Sequence, residues 1–250
     1  MPKIEIRDLS VIYLGRKKQE TVGLDHFNAV FDDKKINVIL GESGCGKTTL
    51  LNAIAQSLNY EGEILFDGED IKKYSLKEMN IAYINQNFFI FPNKTIYESL
   101  AFPLRMQKMD RKEIDNRVKK TAEMLGLTLF LNRYPKELSI GQVQRVAIGK
   151  ALIKEPQLIL MDEPLSNLDP YLRKDISLII KKLAKSKGLT IIYVTHRYDE
   201  AINIGDKIFI INSSKVEECG TPNDINKSKN EMVKYLKMSI GEKDEKAKIQ

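Results

Sequence analysis

A short glycine-rich segment near the N-terminus contains the residues best suited to chemistry. In order along the chain these are Gly41, Glu42, Ser43, Gly44, Cys45, Gly46, Lys47 and Thr48. The order matches the pattern G-x-x-x-x-G-K-[ST], whose backbone N–H groups cradle phosphate oxygens. Lys47 would add a positive charge near the β and γ phosphates, and Thr48 would offer a hydroxyl to Mg²⁺. We therefore predict a nucleotide site that extends to Thr49, followed by a helix from 47 to about 58.

A pair of adjacent carboxylates follows an apolar run later in the chain. Asp162 and Glu163 come directly after 158–161, whose composition predicts a buried strand. Asp162 at a strand end suits a hold on Mg²⁺, and Glu163 suits polarising or orienting a water that attacks the γ-phosphate. Both acids could instead cap the turn that Pro164 begins. The phosphate loop in the same chain favours the catalytic interpretation.

The composition indicates a folded protein that does not itself enter a membrane. Of 250 residues, 42% are hydrophobic and 30% are charged, which suits a packed core. The longest apolar runs, such as 36–40 and 189–194, are far shorter than the roughly 18–20 residues needed to span a bilayer. We therefore expect a cytosolic protein whose membrane role depends on a partner.

The net charge of +6 does not by itself point to nucleic acid. Lysines are scattered and mixed with acidic residues rather than gathered in one patch, so no nucleic-acid partner is expected. Cys45 and Cys219 lie far apart in sequence, and no Cys/His cluster has the spacing of a zinc site.

Apolar periodicity predicts an α/β fold built on two sheets. Residues 4–13 alternate, and a second strand-like run near 27–31 suggests an N-terminal antiparallel sheet. Four continuous apolar runs indicate buried strands: 35–40, 158–161, 189–195 and 207–211. Because helical patterns separate these runs, the main sheet is expected to be largely parallel and covered on both faces.

A helical lobe is predicted between the two halves of this sheet, over about 88–154. Within it, Asp110 and Glu113 have the spacing of a capping box at the start of one helix, and Gly126 marks the end of that helix. The core is expected over 1–87 and 155–222. A short helix and a charged tail are expected over 223–250.

A third motif distinguishes this chain from other phosphate-loop proteins. Residues 138–145, Leu-Ser-Ile-Gly-Gln-Val-Gln-Arg, resemble the LSGGQ signature of ABC transporter ATP-binding subunits. Further landmarks follow the order of that family: Tyr13, Gln86, the turn at 166–169 and His196. The resemblance covers about 3–222, an ABC ATPase domain at 1–222, and is greatest to bacterial importer subunits. It implies a P-loop NTPase core with an antiparallel β subdomain and an inserted helical lobe.

The resemblance implies a role for three of these landmarks. Tyr13 would stack on adenine, Gln86 would sense Mg²⁺ and the attacking water, and His196 would contact the γ-phosphate. Each has a structural alternative: a tyrosine on a sheet surface, a turn residue and a buried histidine. The order of the landmarks favours the functional interpretation in each case.

The signature implies a site shared between two chains. Ser139, Gly141 and Gln142 open a predicted helix whose N-terminus attracts anions, and in the family it faces the γ-phosphate bound by another subunit. Asp169 caps the next predicted helix and belongs to the turn expected at the nucleotide. Where the family has its first glycine, this chain has Ile140. Either Ile140 adopts an ordinary backbone conformation, or it slows this half-site.

The main functional expectation is an ATPase subunit that uses ATP and Mg²⁺. It would close head to tail on a second copy or a homologous subunit and drive import through separate transmembrane permease subunits, on the inner face of the cell membrane. The expected catalytic residues are Lys47, Gln86, Glu163 and His196. The expected metal ligands are Thr48, Gln86 and Asp162.

Two other classes remain as alternatives. A separate-chain exporter or lipid-extracting ATPase would use the same motor, so the sequence does not distinguish it. A non-transport ABC ATPase is not expected, because the sequence has neither coiled-coil arms nor a second cassette. The apolar run 88–91 before Pro92 is either core or a contact for the permease.

Overall fold

The computed structural model describes residues 3–14, 20–85 and 90–238, with backbone alone at 76 and 77. Over these residues the strands are β1 (Ile4–Leu14), β2 (Glu20–Phe31), β3 (Ile36–Leu40), β4 (Glu61–Phe66), β5 (Glu69–Asp70), β6 (Ile81–Ile84), β7 (Leu158–Asp162), β8 (Thr190–Thr195), β9 (Lys207–Asn212) and β10 (Lys215–Gly220). They form two sheets.

The larger sheet has the strand order β10-β9-β3-β8-β7-β6 and confirms the predicted, mainly parallel core. Neighbours from β9 to β6 run parallel, and the edge strand β10 pairs antiparallel with β9. Strands β3 and β8 are buried along their entire lengths, as expected where both faces of a sheet are covered. Because β7 ends at Asp162 and β8 at Thr195, the two predicted catalytic segments leave neighbouring strands.

The smaller sheet has the order β2-β1-β4-β5 and is antiparallel, which confirms the predicted N-terminal subdomain. Along β1 the apolar side chains of Ile4, Ile6 and Leu9 are buried, so one face of the sheet packs on the core. Strand β2 begins at Glu20, well before the predicted run near 27–31. Its extra length brings Gly23 next to the glycine-rich loop.

The helices are α1 (Lys47–Ile54), α2 (Leu76–Met79), α3 (Ile96–Met106), α4 (Arg111–Met124), α5 (Ile140–Leu152), α6 (Pro170–Lys187), α7 (Tyr198–Ile204) and α8 (Pro222–Lys227). Residues 231–238 are also helical. The prediction that the first helix reaches about 58 is wrong, because Ala55 caps it and Gln56 takes a left-handed φ of 51°. In the described ranges, none of the helices is both long and apolar enough to cross a lipid bilayer.

Helices α3, α4 and α5 follow one another between β6 and β7, so a helical insertion separates two neighbouring strands. Leu100, Val118 and Ile148 from these helices belong to the same hydrophobic cluster as β3 and β8. Val233 and Leu236 of the segment 231–238 join that cluster too. The predicted limits of core, lobe and tail stay predictions.

The predicted capping box at the start of α4 is wrong. Asp110 is the N-cap, but its carboxylate accepts from the backbone N–H of Lys112. Glu113 instead pairs with Arg117 one turn later, at 2.7 Å. An aspartate cap together with an i,i+4 ion pair thus replaces the reciprocal bond.

Candidate functional site

The glycine-rich loop joins β3 to α1 and curves around the start of that helix. Gly44 and Gly46 have φ of 84° and 99°, in the left-handed region that favours glycine. A β-carbon at Gly46 would lie 2.6 Å from the carbonyl oxygen of Gly23, and one at Gly41 would lie 2.4 Å from that of Ile211. Side chains at these positions would therefore push the loop away from both sheets.

The ammonium group of Lys47 lies inside the curve of this loop. Its Nζ donates hydrogen bonds to the carbonyl oxygens of Gly41 at 2.9 Å and Glu42 at 2.5 Å. The Sγ of Cys45 lies 3.8 Å from the same Nζ. Lys47 is only 5% exposed, so its charge is little screened by water. A positive charge beside a helix N-terminus gives the loop affinity for anions.

Thr48 and Asp162 meet beside the loop. Thr48 Oγ1 donates to Asp162 Oδ1 at 3.2 Å, and the Tyr83 hydroxyl donates to Asp162 Oδ2 at 3.4 Å. Burial raises the pKa of Asp162 above its ordinary value; the hydrogen bond from Thr48 opposes this shift, and the charge of Glu163 adds to it. A hydroxyl and a carboxylate are oxygen ligands of the kind Mg²⁺ accepts, so this pair fits that ion.

Thr48 and Asp162 offer two oxygen ligands to such an ion. Within the described ranges, no group of three or more His, Cys, Asp or Glu side chains is arranged to bind a metal. Mg²⁺ commonly completes its coordination with water and phosphate oxygens. Water and the phosphate oxygens of a bound nucleotide would supply the other ligands of a metal beside Thr48 and Asp162.

Glu163 and His196 face each other beyond the ends of β7 and β8. Glu163 Oε1 lies 3.0 Å from His196 Nδ1, and the side chains are 22% and 30% exposed. Glu163 has a φ of 45°, a left-handed conformation that costs a non-glycine residue on the order of 1 kcal/mol or more. Its N–H donates to the carbonyl oxygen of Val194 at 3.0 Å. Strand β8 thus holds both the strained backbone of Glu163 and the histidine it faces.

Tyr13, near the end of β1, lies against Gly23 of β2 and next to the loop. Its hydroxyl donates to Thr49 Oγ1 at 3.1 Å. A β-carbon at Gly23 would lie 2.6 Å from Tyr13 Cε2, so the ring occupies space that only a glycine leaves free. Tyr13 is nevertheless 41% exposed. A ring that is held by its hydroxyl and by contact with Gly23 yet remains exposed offers a surface to a planar base.

One cleft of about 460 Å³ lies between the loop, Tyr13 and the two carboxylates. Among the described residues, His196 and Tyr83 stand just outside its wall and reach it through Glu163 and Asp162. Its walls are Tyr13, Thr21, Val22, Gly23, Ser43, Gly44, Gly46, Lys47, Thr48, Thr49, Asp162 and Glu163. Gly41, Glu42 and Cys45 are not part of the wall; they form the base of the loop and contact Lys47. The cleft volume falls in the range typical of small-molecule sites, about 300–1,000 Å³.

The signature residues cap a helix and lie away from this cleft. Ser139 is the N-cap of α5, and its hydroxyl accepts from the N–H of Gln142 at 3.3 Å. Gln142 Oε1 in turn accepts from the N–H of Ser139 at 2.9 Å. A β-carbon at Gly141 would lie 3.1 Å from Leu172. None of the three contributes to the cleft wall that the described residues form.

The remaining predicted positions are Ile140, Asp169 and Gln86. Ile140 is the first residue of α5, is 65% exposed and is not among the residues with positive φ, so its backbone conformation is ordinary. Asp169 caps α6, as predicted, by accepting from the N–H groups of Tyr171 and Leu172 at 3.0 Å each. Gln86 lies outside the described residues.

Two residues of the site, Gly23 and Tyr83, were not predicted from the sequence. Gly23 supports both the tyrosine ring and Gly46, and Tyr83 donates to Asp162. A glycine inside a strand indicates a close approach of other groups, so the signal at Gly23 was present. No sequence signal pointed to Tyr83, because it lies far from Asp162 in sequence and meets it only through the pairing of β6 with β7.

Comparison with known proteins gives a consistent result. The family model described as ABC transporter matches residues 24–166. The trehalose/maltose import ATP-binding protein MalK of Thermococcus litoralis is 44% identical over 200 residues, which cover 77% of this chain and 54% of that protein. The spermidine/putrescine import ATP-binding protein PotA of Clostridioides difficile is 38% identical over 233 residues, 92% of this chain and 65% of that protein. The chain thus spans little more than half the length of MalK.

A solved structure agrees with these relatives. The ATP-binding cassette MJ0796, in a dimeric post-hydrolysis state bound to ADP and Pi, matches with a TM-score of 0.76 and 29% identity. The match covers 88% of this chain and 98% of that one. Both sheets and the intervening helices are therefore arranged as in a nucleotide-binding cassette.

Proposed function

Because this chain belongs to the ABC transporter family, we propose that it binds and hydrolyses ATP to drive import through separate transmembrane permease subunits. The observation that carries the proposal is the cleft in which Lys47, Asp162 and Glu163 border one glycine-rich loop. This combination provides a cation for phosphate, an oxygen ligand for a metal and a carboxylate for water. The import function is supported by the names of MalK and PotA.

In this proposal the loop holds the phosphates of ATP and Tyr13 holds the adenine. Backbone N–H groups of Gly41 to Thr49 face phosphate oxygens. Lys47 exchanges its two carbonyl partners for phosphate, because a charged acceptor forms the stronger hydrogen bond. When bound, Mg²⁺ supplies positive charge at the phosphate oxygens. Thr48 and Asp162, already paired at 3.2 Å, would hold it together with Gln86.

For hydrolysis we assign Glu163 to the attacking water and His196 to the γ-phosphate. The contact of 3.0 Å between their side chains supports this assignment, because it fixes the direction in which the carboxylate points. A carboxylate near the γ-phosphate can orient the water and accept its proton.

We further propose that two copies, or this chain and a homologous subunit, complete each other's sites. Ser139, Gly141, Gln142 and Asp169 lie outside the cleft wall of their own chain, which supports a role at a partner's nucleotide. Ser139 caps a helix of 13 residues, long enough for its N-terminus to attract an anion. The dimeric state of the similar cassette MJ0796 also supports this arrangement.

The permease would dock on the groove between β6 and the helical lobe, on the inner face of the cell membrane. Two cavities of about 280 and 490 Å³ lie along this groove, and Ile81, Tyr83 and Lys154 border both of them. Phe91 belongs to the lobe side: its ring meets Phe102 edge-on at 4.8 Å, under Lys150. We propose residues 1–222 as the ATPase domain and 223–250 as a short helix and tail.

The deciding experiment is Mg-ATP turnover of the wild type, Lys47→Ala and Glu163→Gln, alone and with the membrane protein that copurifies. Wild-type turnover that the partner changes, and its loss in both variants, is the expected result. Lys120→Ala, on the exposed face of α4, is the control and should remain active. Light scattering should find Glu163→Gln dimeric with ATP and monomeric without it. An inactive wild type, or a persistent monomer, would count against the proposal.

A further inference from the structure

Arg173 holds the loop that leads away from Glu163. This loop, residues 163–169, connects β7 to α6. The guanidinium of Arg173 donates through Nη2 to the carbonyl oxygen of Leu168 at 2.7 Å and through Nε to that of Leu165 at 3.4 Å. A planar group with donors in a fixed fork can hold two carbonyls at once. Arg173 thus fixes the far half of the loop against the first turns of α6.

A buried acid completes this arrangement. Glu200 of α7 places Oε2 4.0 Å from Arg173 Nε, and the two side chains are 2% and 11% exposed. Glu200 also accepts a hydrogen bond from the hydroxyl of Tyr193 in β8. Burial raises the pKa of Glu200, while the hydrogen bond from Tyr193 and the charge of Arg173 lower it. A buried charged group without its partner is costly, so α6, α7 and β8 are held together here.

The near half of the loop is held by other groups. The carbonyl oxygen of Glu163 accepts from the N–H of Ser166 at 3.2 Å and from its hydroxyl at 3.0 Å. The buried side chain of Gln144 in α5 donates to the carbonyl oxygen of Pro164. The N–H of Leu168 donates to Leu165 O at 3.2 Å. The turn beginning at Glu163 is therefore continuous with the turn that Arg173 holds.

The same network reaches His196 from the other side. His196 lies between two members of this network along the chain. Tyr193 is in β8, which ends just before His196, and Glu200 is in α7, which begins just after it. We infer that Arg173, Glu200 and Tyr193 form a positioning network that fixes the Glu163 carboxylate and the His196 imidazole for hydrolysis. All three side chains are buried or nearly so, and none lines the cleft that the described residues form, so they act through the loop and the strand rather than on ATP. The inference depends on the proposed ATPase function for its catalytic part.

The test compares Arg173→Lys with Arg117→Lys. A lysine keeps the charge and most of the side-chain stem, but one ammonium does not reproduce the fork to two carbonyls. Arg117 in α4 pairs with Glu113 and Glu155 and serves as the matched control. For Arg173→Lys we expect kcat to fall about ten- to hundredfold, since small misplacements of reacting groups cost that much. We expect the Kd for ATP to stay within about twofold.

A second measurement does not need turnover. Hydrogen–deuterium exchange without nucleotide reports the N–H groups of Ser166 and Leu168 directly. Exchange in 163–169 should become about tenfold faster or more in Arg173→Lys and stay unchanged in Arg117→Lys. Glu200→Gln keeps an acceptor for Tyr193 but loses the charge. It should also make exchange in this loop faster, by a smaller factor than Arg173→Lys.

A double variant decides whether Arg173 acts through Glu163. In the Glu163→Gln background, Arg173→Lys should cause no further loss of the residual rate, because residues that act as one unit are not additive. The inference would be overturned if the rate losses of Glu163→Gln and Arg173→Lys multiply in the double variant. It would also be overturned if Arg173→Lys and Arg117→Lys lose the same activity, or if Arg173→Lys changes neither loop exchange nor kcat. If the wild type hydrolyses no ATP, the proposed function fails instead, and faster loop exchange still tests the network.

Discussion

The imidazole Nδ1 of His196 lies 3.0 Å from the carboxylate of Glu163, beyond the ends of two paired parallel strands. His196→Ala removes the group that fixes this carboxylate, so ATP turnover should fall by on the order of 10²-fold. ATP affinity should change much less. Phosphate release at saturating ATP, together with nucleotide binding, measures both quantities.

The second histidine provides the control for this change. His26 is an exposed residue whose imidazole pairs with Asp8 at 2.6 Å. His26→Ala should therefore stay within about twofold of the wild type, as surface substitutions usually do. Full activity of His196→Ala would contradict the assigned role.

Gly23→Ala should weaken nucleotide binding although residue 23 carries no functional group. The new β-carbon would lie 2.6 Å from the ring of Tyr13 and 3.0 Å from Thr49, so the ring must move. Losing a well-placed aromatic contact costs about 0.5–1.5 kcal/mol, roughly two- to tenfold in Kd. Titration with a fluorescent adenine nucleotide measures this loss. Asp25→Ala, exposed on the same strand, should bind normally; equal affinity of all three proteins would argue against stacking on Tyr13.

Ile140→Gly should not raise the rate of the proposed ATP hydrolysis. Ile140 begins α5 without a positive φ, so no backbone strain is available for a glycine to release. A glycine in a helix instead costs up to about 1 kcal/mol, which should lower the Tm slightly. Steady-state turnover is the measurement, and a strong increase would indicate that Ile140 obstructs the half-site.

Alkylation of Cys45 should block ATP binding, and ATP should protect against it. The thiol is partly buried, 3.8 Å from Lys47 Nζ, and 2.9 Å from where a β-carbon of Gly41 would lie. An added maleimide group would therefore distort the loop. The experiment uses Cys219→Ser, which removes the exposed second thiol. Unchanged ATP binding after complete modification would show that the loop tolerates the group.

Asp162→Asn should stabilise the nucleotide-free protein near neutral pH. Burial raises the pKa of Asp162 in the folded chain, so folding disfavours its ionised form. Above the folded-state pKa the charge therefore lowers the free energy of unfolding, and this penalty disappears as the pH falls below the ordinary aspartate value of about 3.9. Thermal unfolding across pH should give a higher Tm for the variant at neutral pH and a converging Tm in acid.

Addition of Mg-ATP should reverse the order of the Tm values of the wild type and Asp162→Asn. Mg-ATP stabilises a protein that binds it in the folded state, and the variant lacks the proposed metal ligand. The wild type should therefore gain Tm with Mg-ATP and the variant should not. A variant that is less stable at every pH would mean that the hydrogen bonds to Thr48 and Tyr83 outweigh the buried charge.

Sequence patterns predicted the strands and loops that are determined by residues adjacent in the chain. Strand β3 lies within its predicted run at 35–40, because a continuous apolar segment forms a buried strand. The glycine-rich loop also joins a strand to a helix as predicted, since its glycines permit the φ values of 84° and 99°. Strand β10 was not predicted: its residues alternate between exposed and half-buried, and pairing with β9 rather than an apolar pattern forms it.

Tertiary contacts account for the rest of the site. The left-handed φ of Glu163 is fixed by its hydrogen bond to Val194, a residue distant in sequence. The same holds for the buried pair of Arg173 and Glu200, which joins α6 to α7. A glutamate after an apolar strand predicts a carboxylate at the sheet edge, but only the neighbouring strand determines its direction.

The site forms only when the central strands pair in the correct register. Leu40 pairs with Thr195, and Asp162 pairs with Val194, so the loop, the carboxylates and the histidine are aligned by one set of pairings. A slip of β8 by one residue would move His196 by about 3.3 Å and turn every side chain of the strand to the opposite face. A molecule with that error would be compact yet unable to bring His196 to Glu163. Selection for the proposed ATPase activity would thereby also select against misregistered chains.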